Sequence, residues 1–219
     1  AIVMKEGYHT FMYPEIDENK CVKCHQCQSV CPVNGFDNNN LNVPEIFAIE
    51  ANDTIRRNSS SGGCFFVFSN YIINNGGCVF ATLLDNNSEV HFTKIDKSED
   101  ISCCQGSKYV QSNTELIFRE VKKELDTEKL VAFFGCPCQV AGLKNYLKHD
   151  YKRLYTIDLL CHGVPSYAIF KKYLQEKNLK NIKKVNFRDK KYGWRADTVA
   201  ISYVNGDMYV NSWKGGDAY

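Results

Sequence analysis

The feature that most constrains this chain is a run of four cysteines closed by a proline, Cys21-Val-Lys-Cys24-His-Gln-Cys27-Gln-Ser-Val-Cys31-Pro32. C-x-x-C-x-x-C-x-x-x-C-P is the bacterial ferredoxin spacing for a 4Fe-4S cluster. Three thiolates at this spacing let one tight loop wrap a cluster and give each sulfur its own iron, after which Pro32 turns the chain away. Neighbours in the run are too close to pair as unstrained cystines. Lys23, His25, Gln26 and Gln28 do not supply the apolar surround of thiols that merely pack. Zinc is the competing metal, but structural zinc sites usually take two ligand pairs separated by a longer loop. His25 reads as a solvent-facing ring or an electrostatic neighbour of the cluster rather than a ligand.

In two-cluster ferredoxins the fourth cysteine of such a run ligates the other cluster, so Cys31 implies a partner run. Ala1-Ile2-Val3 followed by Tyr8 to Pro14 resembles the hairpin between two runs. The first run is therefore expected just before Ala1, since Ala1-Ile2-Val3-Met4 does not read as a natural start. Cys21, Cys24 and Cys27 are then three ligands of one cluster.

Cysteine is abundant elsewhere too, 11 in 219 residues, which puts sulfur chemistry first among the possible functions. The 27 basic and 25 acidic residues leave a net charge of +2, so no whole-molecule field argues for nucleic acid or an anionic membrane. Leu130 to Leu143 is uncharged but is interrupted by Gly135, Pro137 and Gln139 and falls short of the roughly 18 apolar residues of a membrane span. Reduced thiolates fit a cytosol-like compartment. The expectation is a soluble, cytoplasmic protein with no nucleic-acid partner and no membrane span.

Three regions follow: a partial 4Fe-4S ferredoxin-type domain over 1–36, a linker over 37–58 marked by Asp37-Asn38-Asn39-Asn40 and Pro44, and an α/β domain over 59–219. Ser59-Ser60-Ser61-Gly62-Gly63 before Cys64 to Ile73, and Asn74-Asn75-Gly76-Gly77 after it, predict a helix with a serine cap and a glycine stop. Cys78 to Leu84 and Glu89 to Ile95 predict a hairpin. Helix Thr114 to Thr127, strand Lys129 to Phe134, helix Gln139 to Leu147, strand Leu154 to Leu160, helix Tyr167 to Lys177 and strand Lys183 to Phe187 then alternate. That order predicts a mainly parallel or mixed sheet with helices on its faces. Asn205-Gly206 marks a closing hairpin.

Two of these strands end in cysteine groups, Gly135-Cys136-Pro137-Cys138 and Cys161-His162-Gly163-Val164-Pro165. Open parallel sheets bind ligands beyond the carboxyl ends of their strands, so Cys138 and Cys161 are expected to face one cavity. Buried packing is the plain alternative for either cysteine. A redox dithiol of Cys136 and Cys138 ranks below metal binding because C-x-C is tighter than the usual C-x-x-C. Cys64, Cys78, Cys103 and Cys104 default to packing. Gly62-Gly63 can offer backbone N–H groups to a phosphate or form a flexible loop with a cap. The basic stretch Lys171 to Arg195 reads as a solvated face, or as a surface for an acidic electron carrier or a cofactor phosphate.

Taken together, Ser60-Ser61-Gly62-Gly63, Gly106-Ser107-Lys108-Tyr109-Val110-Gln111, Gly135-x-Pro137-Cys138-Gln139-x-Ala141-Gly142-Leu143, Asp158-Leu-Leu-Cys161-His162-Gly163-Val164-Pro165-Ser166 and Phe187-Arg188-Asp189-Lys190-x-x-Gly193-Trp194 resemble the coenzyme F-420 hydrogenase/dehydrogenase beta subunit family. The resemblance implies an iron–sulfur flavoprotein oxidoreductase, with FAD in the α/β domain and electrons passing between flavin and 4Fe-4S clusters. By the same resemblance Cys138 and Cys161 ligate a cluster beside the flavin. Ser61, Gly62, Gly63, Gly106, Ser107, Lys108, Tyr109, Gly135, Pro137, His162 and Gly163 surround the cofactor, with His162 and Lys108 as candidates near the isoalloxazine. The implied partners are a redox protein or ferredoxin and a coenzyme or small substrate. Two features depart from the family: the sequence stops at Tyr219 before the family's later cysteine segment, and Cys136 stands where a noncysteine residue is common. The second cluster is then two thiolates short unless Cys136 or another cysteine substitutes. The rival functions are a non-catalytic electron-carrying subunit and a zinc-stabilised interaction module.

Overall fold

The computed structural model of the chain describes residues 1–34, 44–85, 87–193 and 198–212. Asp37 to Asn40, Asn86 and Trp194, which carry some of the sequence signals above, lie outside the described residues. The N-terminal body is an antiparallel hairpin of β1 (Ile2–Glu6) and β2 (Met12–Ile16), followed by the cysteine run and the short helix α1 (Gln26–Val30). None of residues 1–34 is buried.

Part of the expected linker is ordered against the α/β domain. Helix α2 (Asp53–Arg57) begins at Asn52, whose side chain accepts from the Ile55 N–H. The Ala51 N–H donates to Gly62 O at 2.7 Å. A side chain at Gly62 would put its Cβ 2.6 Å from Ile49 O, so glycine is required by this close approach.

The central sheet runs in the order β4-β3-β5-β6. Strands β3 (Cys78–Leu84), β5 (Val131–Gly135) and β6 (Leu154–Asp158) are parallel, and β4 (Val90–Ile95) pairs with β3 as the expected antiparallel hairpin. The one-in, one-out alternation of the strands divides their side chains between two layers. Cys78, Phe80, Val131 and Phe133 face α5 (Ile117–Asp126) and α6 (Pro137–Leu147). Val79, Ala81 and Ala132 face α3 (Cys64–Asn74) and the short α4 (Ile101–Cys104). Both faces are therefore covered, as a parallel sheet requires.

Two expectations are corrected. Helix α3 is capped by Gly63 at φ 93°, not by a serine side chain. Ser59 instead donates to Ile55 O at 2.8 Å, and Ser60 accepts from the Ser107 N–H at 2.7 Å, so the serines tie loops together. The strand after α7 (Tyr167–Glu176), β7 (Ile182–Asp189), does not extend the parallel sheet. It starts an antiparallel meander with β8 (Thr198–Tyr203) and β9 (Met208–Asn211), whose core joins Phe170 and Leu174 of α7 to Phe187, Val199 and Ile201. Lys183 and Lys184 are exposed on β7, and an inner strand covered on both faces has no place for them. The overall class remains mixed α/β with a ferredoxin-like N-terminal motif.

Candidate metal and cofactor crevice

The last paired residues of β5 and β6 are Gly135 and Asp158, so the segments after them leave the sheet at one edge. Three cysteines lie in those segments. Cys136 is the N-cap residue of α6 and is half-buried, while Cys138 in the first turn of α6 and Cys161 in the loop after β6 are exposed. Burial pushes the Cys136 thiol up to about 12, and the charge and hydrogen bond of Cys161 and the charge of Cys138 act in the same direction. The Gly163 N–H donates to Cys161 Sγ at 3.4 Å. Gln139, whose role is not evident from its sequence motif, holds this corner: its Oε1 accepts from the Cys136 N–H at 2.9 Å and its Nε2 donates to Ser112 Oγ at 2.7 Å.

The serine–glycine segment lies along the same edge. Phe65, two residues after Gly63, meets Phe134 edge-on at 4.8 Å between ring centroids, which sets the start of α3 beside the end of β5. Gly106 (φ 89°) and Ser107 lie against Ser60. The Gln111 N–H donates to Pro165 O at 3.2 Å, joining this segment to the loop that carries Cys161 and His162. Ser61, Tyr109 and His162 are exposed, Pro137 is half-buried, and Gly63 is buried.

Cations from distant parts of the chain gather beside it. Lys108 is half-buried and its Nζ donates to Cys104 O at 2.6 Å. Desolvation brings Lys108 down to about 8 despite the opposing effect of Cys104 and Cys103, and Lys184 lowers it further. Lys190 donates to Arg56 O, and desolvation followed by the Arg56 and Arg188 cations lowers it too. The basic character of residues 171–195 is visible in the sequence; the approach of Arg56 from α2 is not.

The N-terminal body touches both elements that follow the crevice. Thr10 Oγ1 donates to Ser166 Oγ at 3.2 Å at the start of α7, and Asn145 Nδ2 of α6 donates to Val30 O at 3.5 Å. In the cysteine run itself, Lys23 (φ 54°) and His25 (φ 56°) take left-handed conformations uncommon for residues with side chains, which curls the backbone between the cysteines.

The pattern for a 4Fe-4S binding domain matches residues 14–37, and that for the C terminus of the coenzyme F420 hydrogenase/dehydrogenase beta subunit matches residues 128–210. Residues 128–210 therefore carry the C-terminal domain of that beta subunit family, and residues 14–37 a 4Fe-4S binding domain. The first match contains Cys21, Cys24, Cys27 and Cys31, and the second contains Cys136, Cys138 and Cys161. Iron–sulfur binding is thereby favoured over zinc at the N-terminal run. A chain of the F420-reducing NiFe hydrogenase complex from Methanosarcina barkeri is similar in fold, with a TM-score of 0.51 at 16% identity over 76% of this chain and 59% of that one. This chain thus spans somewhat over half the length of that relative. No curated protein sequence matches it.

The donor set of the N-terminal run fits a 4Fe-4S cluster. Cys21, Cys24, Cys27 and Cys31 are all free thiols, none of them buried. Among the described residues no group of three or more His, Cys, Asp or Glu side chains is gathered for a single ion. A cubane asks for a different arrangement, because each thiolate takes its own iron. No helix among the described residues is long and apolar enough to cross a membrane. A cavity of about 640 Å³ lies between Ser29 and the carboxyl-terminal half of α6 and has no cysteine in its lining.

Proposed function

We propose that this chain is the electron-relay module of an iron–sulfur flavoprotein oxidoreductase. In this reading residues 1–36 hold cluster chemistry at Cys21, Cys24, Cys27 and Cys31. Residues 59–219 hold FAD in the crevice beyond β5 and β6, next to a second cluster on Cys138 and Cys161, and 37–58 join the two. The observation that carries the reading is the position of α6. Its first turn bears Cys138, and Asn145 of the same helix touches Val30 beside Cys31. At 1.5 Å per residue these points are about 10 Å apart along the axis, so one rigid helix spaces the two cysteine groups.

A bound flavin supplies the exchange between paired and single electrons. The protein's part is to bind and orient it. The N–H groups around Gly63 and Gly106 and the cations Lys108, Arg56, Arg188 and Lys190 suit an anionic pyrophosphate. Exposed Leu159 and Leu160, before Cys161, offer apolar surface to a ring or a partner. The substrate side is a coenzyme or small molecule, and the other side a redox protein or ferredoxin. The place of the Methanosarcina barkeri relative in a hydrogenase complex supports such a partner.

The test uses the product of the complete reading frame, prepared without oxygen. Denaturation is expected to release flavin alongside iron and acid-labile sulfide. Iron and sulfide without flavin would leave a non-catalytic electron carrier. Flavin retention is also expected to fall as pH rises through about 8. Lys108 is cationic below that value and neutral above it, so attraction for the pyrophosphate is lost on the alkaline side. Lys108→Met should remove that inflection; an unchanged pH profile in this variant removes Lys108 from the site.

A further inference from the structure

We propose that the cavity between α1 and the end of α6 docks an acidic one-electron carrier protein, which exchanges electrons with the N-terminal cluster there. The inference rests on the proposed function and names the partner's surface. Ser29 of α1 lines this cavity together with Lys144, Lys148 and His149, from the end of α6 and the turn after it. Ser29 stands between Cys27 and Cys31 in the sequence, and Asn145, next to Lys144, donates to Val30 O. The cavity therefore opens against the loop that carries the four cysteines. In the exchange a reduced carrier gives one electron to the oxidised cluster, the carrier is oxidised, and no covalent bond forms or breaks.

Charge sets the class of partner. Lys144, Lys148 and His149 are exposed, and Asp150 is the single carboxylate in the described lining. Among the described residues neither lysine Nζ has a hydrogen-bond or carboxylate partner. Other lysines of the same domain are matched: Lys122 lies 2.6 Å from Asp126, and Lys129 3.2 Å from Glu124. The cysteine run adds Lys23 and holds no acidic residue between Glu18 and Asp37. Lysines in the last turn of a helix also suit its dipole, but that accounts for neither the cavity beside them nor the nearness of the cysteine run. Small-molecule sites are mostly apolar, whereas this lining is polar apart from Leu147, Leu154 and the Tyr151 ring. Unmatched cations at a polar recess suit a transient protein partner, because complementary charge speeds encounter more than it tightens the complex. Electron-transfer encounters are of this weak, small-interface kind.

Stopped-flow mixing of the anaerobically reconstituted full-length protein with flavodoxin hydroquinone, an acidic one-electron carrier, tests the surface. The readout is the rise of the blue flavodoxin semiquinone, whose second-order rate constant should fall steeply as salt rises. Lys144→Glu with Lys148→Glu should lower that constant about tenfold at low salt, the lower end of electrostatic steering, and flatten its salt dependence. Iron content and the thermal transition should stay as in the unaltered protein. Lys144→Gln with Lys148→Gln, gentler on the helix end, should give a smaller loss in the same direction. Lys180→Glu with Lys183→Glu, at the start of β7, should leave the rate unchanged. If both pairs at 144 and 148 keep the wild-type rate and salt slope, the docking surface is refuted and the proposed function stands. If they shift the cluster's midpoint potential but not the salt slope, the lysines tune the cluster and the docking surface is again refuted. Flotation with phosphatidylserine vesicles that these pairs abolish, at an unchanged electron-transfer rate, would assign the cations to a membrane surface instead. A reconstituted protein without iron at the N-terminal run refutes the proposed function itself.

Discussion

Replacing Cys21 and Cys24 together by serine is expected to release residues 1–34 as an unstructured arm while the α/β domain keeps its own unfolding transition. The reason lies in what this body lacks. None of its residues is buried, and Ile2, Val3 and Met4 are 46%, 55% and 53% exposed on β1. The pairing of β1 with β2 and an exposed pair of Lys5 and Glu15 hold the hairpin, and an exposed ion pair contributes about 0–1 kcal/mol. An isolated two-stranded hairpin is marginal in water, and bodies of this size rely on metals or disulfides as staples. With no disulfide among its cysteines, the cluster is the staple at hand, and its binding energy is folding energy. Limited proteolysis and hydrogen exchange of the reconstituted full-length protein read this directly. The variant should lose about one cluster's iron, cleave rapidly within 1–34 and show unprotected amides in β1 and β2. Continued protection of those amides in the iron-depleted variant would show that packing alone holds the hairpin.

Much of this architecture is legible in the sequence because it follows local rules. Uncharged Val131 to Gly135, flanked by amphipathic helical spacing at Ile117, Val121 and Leu125, could only be a covered strand beside a helix, and both hairpins announce themselves by polar turn residues. The ends of β5 and β6 are likewise readable, which is why Cys138 and Cys161 can be placed on one edge from sequence. The features that escape depend on partners far along the chain. Arg56 reaches Lys190 only through the docking of α2, and no local pattern in Asp53 to Arg57 encodes that encounter. The serines before α3 carry a cap signal, yet the contacts offered by Ser107 and Ile55 O claim them. The relation of Cys136 to Cys161 is hidden for a related reason: C-x-C spacing says nothing about the parallel register of β5 with β6.

Phe133→Ala should cost about 3–5 kcal/mol of stability, the usual range for deleting a fully buried aromatic ring, and should also loosen the cysteine corner. Phe133 is 0% exposed at the middle of β5. Its ring stacks on Phe92 with centroids 5.0 Å apart and meets Phe118 edge-on at 5.9 Å, so its removal opens a cavity between β4 and the helix layer. Neither neighbour fills that space easily, because Phe118 also meets Tyr146 of α6 and packs beside Gly142. The same ring lies under Gly135, so the cavity opens directly below the residue that launches Cys136 and α6. Urea unfolding of the α/β domain should therefore show a lower midpoint at an unchanged slope. Reconstitution of the same variant should leave the N-terminal cluster in place while iron at the sheet-edge cysteines falls. A loss below about 1 kcal/mol would mean that the site collapses around the missing ring. A full loss of stability with wild-type iron at both sites would uncouple the packing of this strand from the geometry at its end.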